Sequence, residues 1–226
     1  PCKDSNFMKQ QFISNNNEPN LLLIFSGWGT HAELFSPYSI RQTDICVCYD
    51  YREDTFDCTP FLRYKQISVI GWSFGVWMAA YTLSKTPLKS NKNIAVNGTM
   101  RPIDDTYGIP KAIFTATLDS LTETSFSKFQ RRICGNAKRY DQFHEILLRR
   151  EIQEVSDELT TLRNRVKIHP NISFCWDEAY IADRDLIFSA DRQRDFWKQH
   201  SSARIKEIED FHLPNFKSIF DELYSR

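Results

Sequence analysis

Five residues, Gly71-Trp72-Ser73-Phe74-Gly75, constrain the fold more than any other stretch of the chain. An apolar run rich in β-branched residues, Ile67-Ser68-Val69-Ile70, precedes them, and Val76 to Leu83 follows with no helix breaker. The pattern predicts a strand, one very tight turn and a helix. A strand that passes straight into a helix pinches the backbone at the middle residue. A glycine two positions to either side lets the elements pass without Cβ clashes. The serine is left at the tip of the turn, its hydroxyl at the helix N-terminus, where free N–H groups and the helix dipole favour a developing negative charge. The same spacing arises by chance in many chains, so its meaning depends on whether the rest of the sequence supplies what a reactive serine needs.

The rest of the chain has room for such a fold. Its 226 residues suit one large domain or two small ones, and an apolar fraction of 41%, with 17 Phe, 9 Tyr and 5 Trp, fills a substantial core. Lys and Arg number 29 and Asp and Glu also 29, which argues against nucleic-acid binding driven by bulk charge. No apolar stretch approaches the roughly 18 residues of a membrane span, and the N-terminus lacks the apolar centre of a secretion signal. The six cysteines, at positions 2, 46, 48, 58, 134 and 175, follow no zinc-binding spacing. Cys46 and Cys48 read as small apolar core residues, and reduced thiols point to the cytoplasm. No phosphate-binding loop of the GxxxxGK[ST] type is present. The expectation is a monomeric protein with no metal and no cofactor.

Taken in order, Met8 to Ile13 suggests an edge strand and Leu21 to Phe25 a strand buried on both faces. The loop Ser26-Gly27-Trp28-Gly29-Thr30 follows. Asp44 to Asp50, Ile94 to Asn97, Trp176 to Ile181 and Ala203 to Ile208 read as further strands. Their alternation with helices or long connections implies a mostly parallel sheet. Met100 to Pro110 reads as an irregular loop. From Ser120 to Val166 apolar residues recur at three- and four-residue spacing, among them Val155, Leu159, Leu162 and Val166. The reading is therefore an α/β-hydrolase fold: a core of 1–119 and 168–226, interrupted by a helical lid over 120–167. The lid carries ten Lys and Arg against seven Asp and Glu. Such faces are usually just solvated, yet Arg131-Arg132, Lys138-Arg139 and Arg149-Arg150 could meet an acidic partner.

A serine hydroxyl needs a base within hydrogen-bond reach, and the base needs an orienting acid. In this fold the chain order is serine, acid, histidine. His212 lies in a loop between the last strand and the last helix, where the base belongs. His31 precedes the serine, His144 sits in the charged lid, His169 precedes the penultimate strand and His200 ends a helix. Asp183 and Asp185 both follow the penultimate strand; Asp185 fits the turn pattern better, and Asp104 or Asp119 is a more distant source. The backbone N–H groups of Trp28 and Phe74 stand where the oxyanion hole is built in this fold.

Ser26-Gly27-Trp28-Gly29, Gly-Trp-Ser-Phe-Gly-Val-Trp at the elbow, Asn97-Gly98-Thr99, Pro102-Ile103-Asp104-Asp105, Gly108-Ile109-Pro110 and the segments around Asp185 and His212 resemble the BioG family. The likeness runs from about Leu21 to the C-terminus. Two positions depart from the wider pattern: Ser26 stands where many hydrolases carry His, and Ala182 replaces the usual Gly before the acid. The resemblance implies hydrolysis of the methyl ester of pimeloyl-[acyl-carrier protein] in biotin synthesis. It further implies that lid arginines, Arg131, Arg132, Arg149 and Arg150 among them, contact the acidic carrier. Two other readings compete. One is a different esterase or thioesterase on the same scaffold, distinguished by turnover of free against carrier-linked ester. The other is a non-catalytic binding protein, which would have lost a member of the serine, histidine and acid set; none is lost.

Overall fold

Alternate residues of the central strands enter two different cores, which is why those strands read as unbroken apolar runs. Leu21, Leu23, Phe25, Cys46, Cys48 and Val69 belong to one core, and Leu22, Ile24, Ile45, Val47 and Ile70 to the other. The computed structural model describes residues 7–147 and 149–224, so Cys2 lies outside the described residues. The strands are β1 (Lys9–Ser14), β2 (Asn20–Phe25), β3 (Thr43–Tyr49), β4 (Gln66–Trp72), β5 (Lys92–Val96), β6 (Glu178–Ala182) and β7 (Arg204–Ile208). They form one sheet in the order β1-β3-β2-β4-β5-β6-β7. Only β1, on the edge against β3, runs antiparallel. The strand order reverses at β2, with β3 on one side and β4 on the other, and the crevice outside the carboxyl ends at such a reversal is where ligands bind.

Helix α1 (Phe74–Leu83) is buried along its whole length in the first core, as a helix apolar on every side must be. Helix α6 (Ala190–His200) shares that core through Phe196 and Trp197, and α7 (Phe216–Tyr224) covers the opposite face through Phe216, Ile219 and Phe220. Among the described residues four helices lie between β5 and β6: α2 (Lys111–Asp119), α3 (Glu123–Cys134), α4 (Ala137–Leu147) and α5 (Ile152–Ile168). Helical structure in this insertion thus begins at Lys111, ahead of the Ser120 read from sequence. Helix α3 opens on a reciprocal cap between Thr122 and Ser125 and stops at Gly135, whose φ is 75°. Val155, Leu159 and Leu162 on α5 pack into the same core as α1, whereas α4 packs Tyr140, Phe143 and Leu147 into the other.

Among the described residues no helix is long and apolar enough to cross a membrane. Cys46, Cys48, Cys58, Cys134 and Cys175 are unpaired. Burial pushes the Cys46 thiol up to about 12 and that of Cys134 to about 11, which removes the thiolate that reactivity requires.

Candidate active site

The turn between β4 and α1 holds Ser73 at φ 59° and ψ −127°, a conformation a residue with a side chain occupies only when its surroundings force it, at about 1–3 kcal/mol. Two backbone bonds hold it there: Ser73 N–H donates to Val96 O at 2.9 Å, and Val76 N–H to Ser73 O at 3.1 Å. The glycines answer to close approach. A Cβ at Gly75 would stand 1.9 Å from the carbonyl oxygen of Phe25, and one at Gly98, after β5, 2.4 Å from that of Ser73. The elbow is therefore pressed between the ends of β2 and β5.

His212 comes from the loop between β7 and α7. Its Nε2 lies 2.9 Å from Ser73 Oγ and its Nδ1 2.8 Å from Asp185 Oδ2. An ionised carboxylate only accepts, so it fixes the proton on Nδ1 and leaves Nε2 to accept from the serine. Asp185 is itself held on both oxygens: Oδ1 accepts from the N–H groups of Ile187 and Phe188, and Oδ2 also from Gln193 Nε2 at 3.2 Å. The Phe188 ring stacks on the imidazole. Asp183, its rival in the sequence, is exposed, accepts from Asp210 N–H and pairs with Arg184. Asp104 accepts from Thr106 and Tyr107 N–H in its own turn, and Asp119 is exposed at the end of α2. The other histidines are spent elsewhere: His31 caps a short 3-10 turn, His144 bonds Asp141 O, His169 packs on Tyr81 and His200 on Tyr107.

Three residues that sequence reading gave no role, Asn97, Trp72 and Gln193, hold this side together. Asn97, fully buried at φ 48°, accepts from Ala182 N–H at 2.8 Å and donates to the carbonyls of Phe211 and His212. It thus ties the end of β5 to the acid strand and to the histidine loop. Trp72 Nε1 donates to the same His212 carbonyl at 2.7 Å. Asn97 had a sequence signal: an asparagine beside a glycine at a strand end tolerates left-handed backbone. Gln193 had none.

The loop after β2 passes the other side of Ser73. At Gly27 a Cβ would stand 3.3 Å from Ser73 Cβ, and Gly29 has φ 70° with the Phe126 ring against it. Among the described residues neither Trp28 N–H nor Phe74 N–H donates to a protein acceptor. Ser26, at the position that departs from the wider pattern, bonds Thr30 Oγ1 at 2.6 Å and steadies the loop.

Gly27, Trp28, Ser73, Phe74 and His212 line a cleft together. Its walls are mostly apolar, with Phe114, Phe129, Ile133 and Leu159, and exposed Ile113 and Leu186 stand at its rim. The four arginines read as a carrier-binding set have different fates. Arg132 is exposed and lines the cleft, and Arg131 is exposed with its guanidinium 4.2 Å from the Tyr140 ring centre. Arg149 pairs with Glu33. Arg150 is a correction to the sequence reading: only 2% of its side chain is exposed, and it is spent internally on Asp50, Glu154 and Glu158. A charge count along the chain carries no information about such burial. Among the described residues no cluster of His, Cys, Asp and Glu is arranged to hold a metal ion.

The chain is similar to known proteins in sequence and in fold. The family model described as pimeloyl-ACP methyl esterase BioG matches residues 8–220. A Bacteroides fragilis protein named malonyl-[acyl-carrier protein] O-methyltransferase is 38% identical over 179 residues. That match takes in 79% of this chain but 36% of the relative, so the chain spans about a third of that protein's length. The crystal structure of BioG from Haemophilus influenzae is 34% identical, with a TM-score of 0.83 over 91% of this chain and 94% of that one. A lipase-esterase related protein from Clostridium acetobutylicum shares the fold at 15% identity, with a TM-score of 0.70 over 97% of this chain and 99% of its own.

Proposed function

We propose, from the premise that this chain belongs to the BioG family and so stands among carboxylic ester hydrolases, that it hydrolyses the methyl ester of pimeloyl-[acyl-carrier protein] through an acyl-enzyme on Ser73. The observation that carries the mechanism is the unbroken hydrogen-bond chain Asp185–His212–Ser73 at the cleft. Ser73 Oγ attacks the ester carbonyl carbon while His212 Nε2 takes the hydroxyl proton. The carbonyl oxygen becomes an oxyanion facing the N–H groups of Trp28 and Phe74. The bond to the methoxy oxygen breaks, and His212 returns its proton so that methanol leaves. Water, deprotonated by His212, then attacks the acyl-serine and frees the acid and the serine. Asp185 holds the imidazole in the required tautomer and stabilises the imidazolium that forms.

The apolar walls between Ser73 and the rim suit the methylene chain, and the exposed Arg132 suits an acidic carrier waiting outside. Charges at a rim act mainly on encounter rate and salt sensitivity. The reading includes a monomer acting in the cytoplasm, consistent with its unpaired thiols.

The test is turnover of carrier-linked pimeloyl methyl ester against free methyl pimelate, with Ser73→Ala as control. The carrier-linked ester should be preferred and the variant should be folded and inactive. An Arg131→Glu/Arg132→Glu protein should lose more activity on the carrier-linked ester than on p-nitrophenyl butyrate. Equal turnover of both methyl esters would contradict the substrate, and full activity of the alanine variant would contradict the nucleophile.

A further inference from the structure

One charged side chain on α5 is out of place by its own periodicity. Glu158 stands three residues after Val155 and four before Leu162, on the apolar face of the helix, and it is fully buried. A buried carboxylate is costly unless its oxygens are satisfied. Glu158 Oε2 accepts from Gly29 N–H at 3.2 Å and from Arg150 Nη1 at 3.0 Å, and Oε1 accepts from Tyr51 N–H at 3.1 Å. Arg150 Nη1 also reaches Thr30 O at 3.4 Å, and its Nη2 lies 2.9 Å from Asp50 Oδ1, off the hydrogen-bond line, so that contact is ionic. Beside these, Trp28 Nε1 donates to Val155 O at 2.8 Å. Residues 28, 29 and 30 are thus each tied to residues 150–158, far along the chain.

We infer that Glu158 is a positioning residue for the loop Gly27–Gly29, aiming Trp28 N–H at the space beside Ser73, with Arg150 orienting the Glu158 side chain. The inference rests on the reading of Trp28 N–H as an oxyanion donor. The loop turns through a glycine at φ 70°, and its own bonds, Ser26 to Thr30 and Thr30 to Gly27 O, leave Trp28 and Gly29 to be held from outside. An oxyanion donor acts only if held about 2.7–3.1 Å from the developing charge. A carboxylate is the one small side chain that accepts on both oxygens, here from two backbone N–H groups and an arginine at once. Helix α5 is on this view part of the catalytic scaffold and stays in place while substrate enters. It is not a hinged cover.

Two variants test this. Glu158→Gln puts an amide donor against a backbone donor. Arg150→Met/Glu158→Met removes both charges, so that folding is kept while Gly29 N–H loses its acceptor. Each is measured for p-nitrophenyl butyrate turnover, and for affinity toward an alkyl trifluoromethyl ketone, which adds to Ser73 as an oxyanion, and toward the matching alkyl amide, which does not add. The expected result is a fall in kcat of about tenfold to a hundredfold with KM within about threefold. Ketone affinity should fall by the same factor and amide affinity should hold. The double variant should still unfold in one cooperative transition, at a melting temperature lowered by the two orphaned N–H groups, and keep the defect. Wild-type kcat and ketone affinity in either folded variant would overturn the inference. A wild-type protein that forms no ketone adduct on Ser73 by fluorine NMR would instead overturn the reading of the serine, and the inference with it.

Discussion

The two sides of Ser73 are held by different chemistry. On the histidine side the ties nearest the site come from the sheet and α6: Asn97 and Trp72 grip the His212 carbonyl, and Gln193 with two backbone N–H groups grips Asp185. The loop around His212 is also tied to the insertion, where Leu213 N–H donates to Ile133 O at 2.8 Å and Arg139 pairs with Asp210 and donates to Leu213 O at 2.7 Å. On the oxyanion side the loop after β2 is tied to the helical insertion by buried charge, with Glu158, Arg150 and Asp50 at the centre. Both sides thus reach the insertion, but His212 and Asp185 are held directly by groups of the sheet and α6, whereas residues 28–30 are held directly by residues 150–158.

The largest effect separating the two sides should come from Asp185→Asn. The amide reverses the tautomer of His212, and kcat should fall on the order of 10⁴-fold while melting changes little. A loss of only a few-fold would mean that His212 is held by its backbone ties alone. Asn97→Ala comes next. It leaves Ala182 N–H unpaired in the interior and puts alanine into left-handed backbone, so chemical denaturation should show about 3 kcal/mol lost, with activity down roughly a hundredfold from misplacing His212. An intact kcat would show that the Trp72 tie suffices.

On the opposite side, Gly29→Ala meets both a positive φ and the Phe126 ring, 2.8 Å from the new Cβ. About 1–2 kcal/mol should be lost, with kcat falling more than KM rises. Unchanged kinetics would mean that the loop tolerates displacement. The smallest effect concerns pH. Burial of Asp50 opposes its ionisation, but Arg52, Arg150 and Lys9 override this and hold its carboxyl well below the ordinary value of 3.8. A carboxyl depressed in the folded state adds stability that is present above the unfolded pKa and is lost as pH falls below it. The gap in melting temperature between wild type and Asp50→Asn should therefore be full at pH 6 and shrink from about pH 4 downward. A gap independent of pH would mean that Asp50 contributes through shape and not charge.

Much of the histidine side was legible in the sequence because it rests on local rules. The elbow has its glycine spacing, the strands have their apolar runs, and the order serine, acid, histidine singles out His212. The expected α/β-hydrolase fold is the observed one. The choice between Asp183 and Asp185 stayed open because both follow the same strand, and only the geometry shows which carboxylate turns inward. The oxyanion side was far less legible. Arg150 and Glu158 look like ordinary charges on a solvated helix until the apolar stripe through Val155 and Leu162 is extended to include position 158. Helix α2 was missed because Lys111 to Asp119 buries Phe114 alone, leaving no apolar stripe to read.

The measurement that bears most directly on the whole scheme is rapid-quench mass spectrometry of the protein mixed with pimeloyl-[acyl-carrier protein] methyl ester. The expected result is a transient acyl group on the peptide containing Ser73, with methanol released in step with its formation and free acid after it. Full turnover with Ser73 never modified, or with the acyl group on another residue, would contradict it.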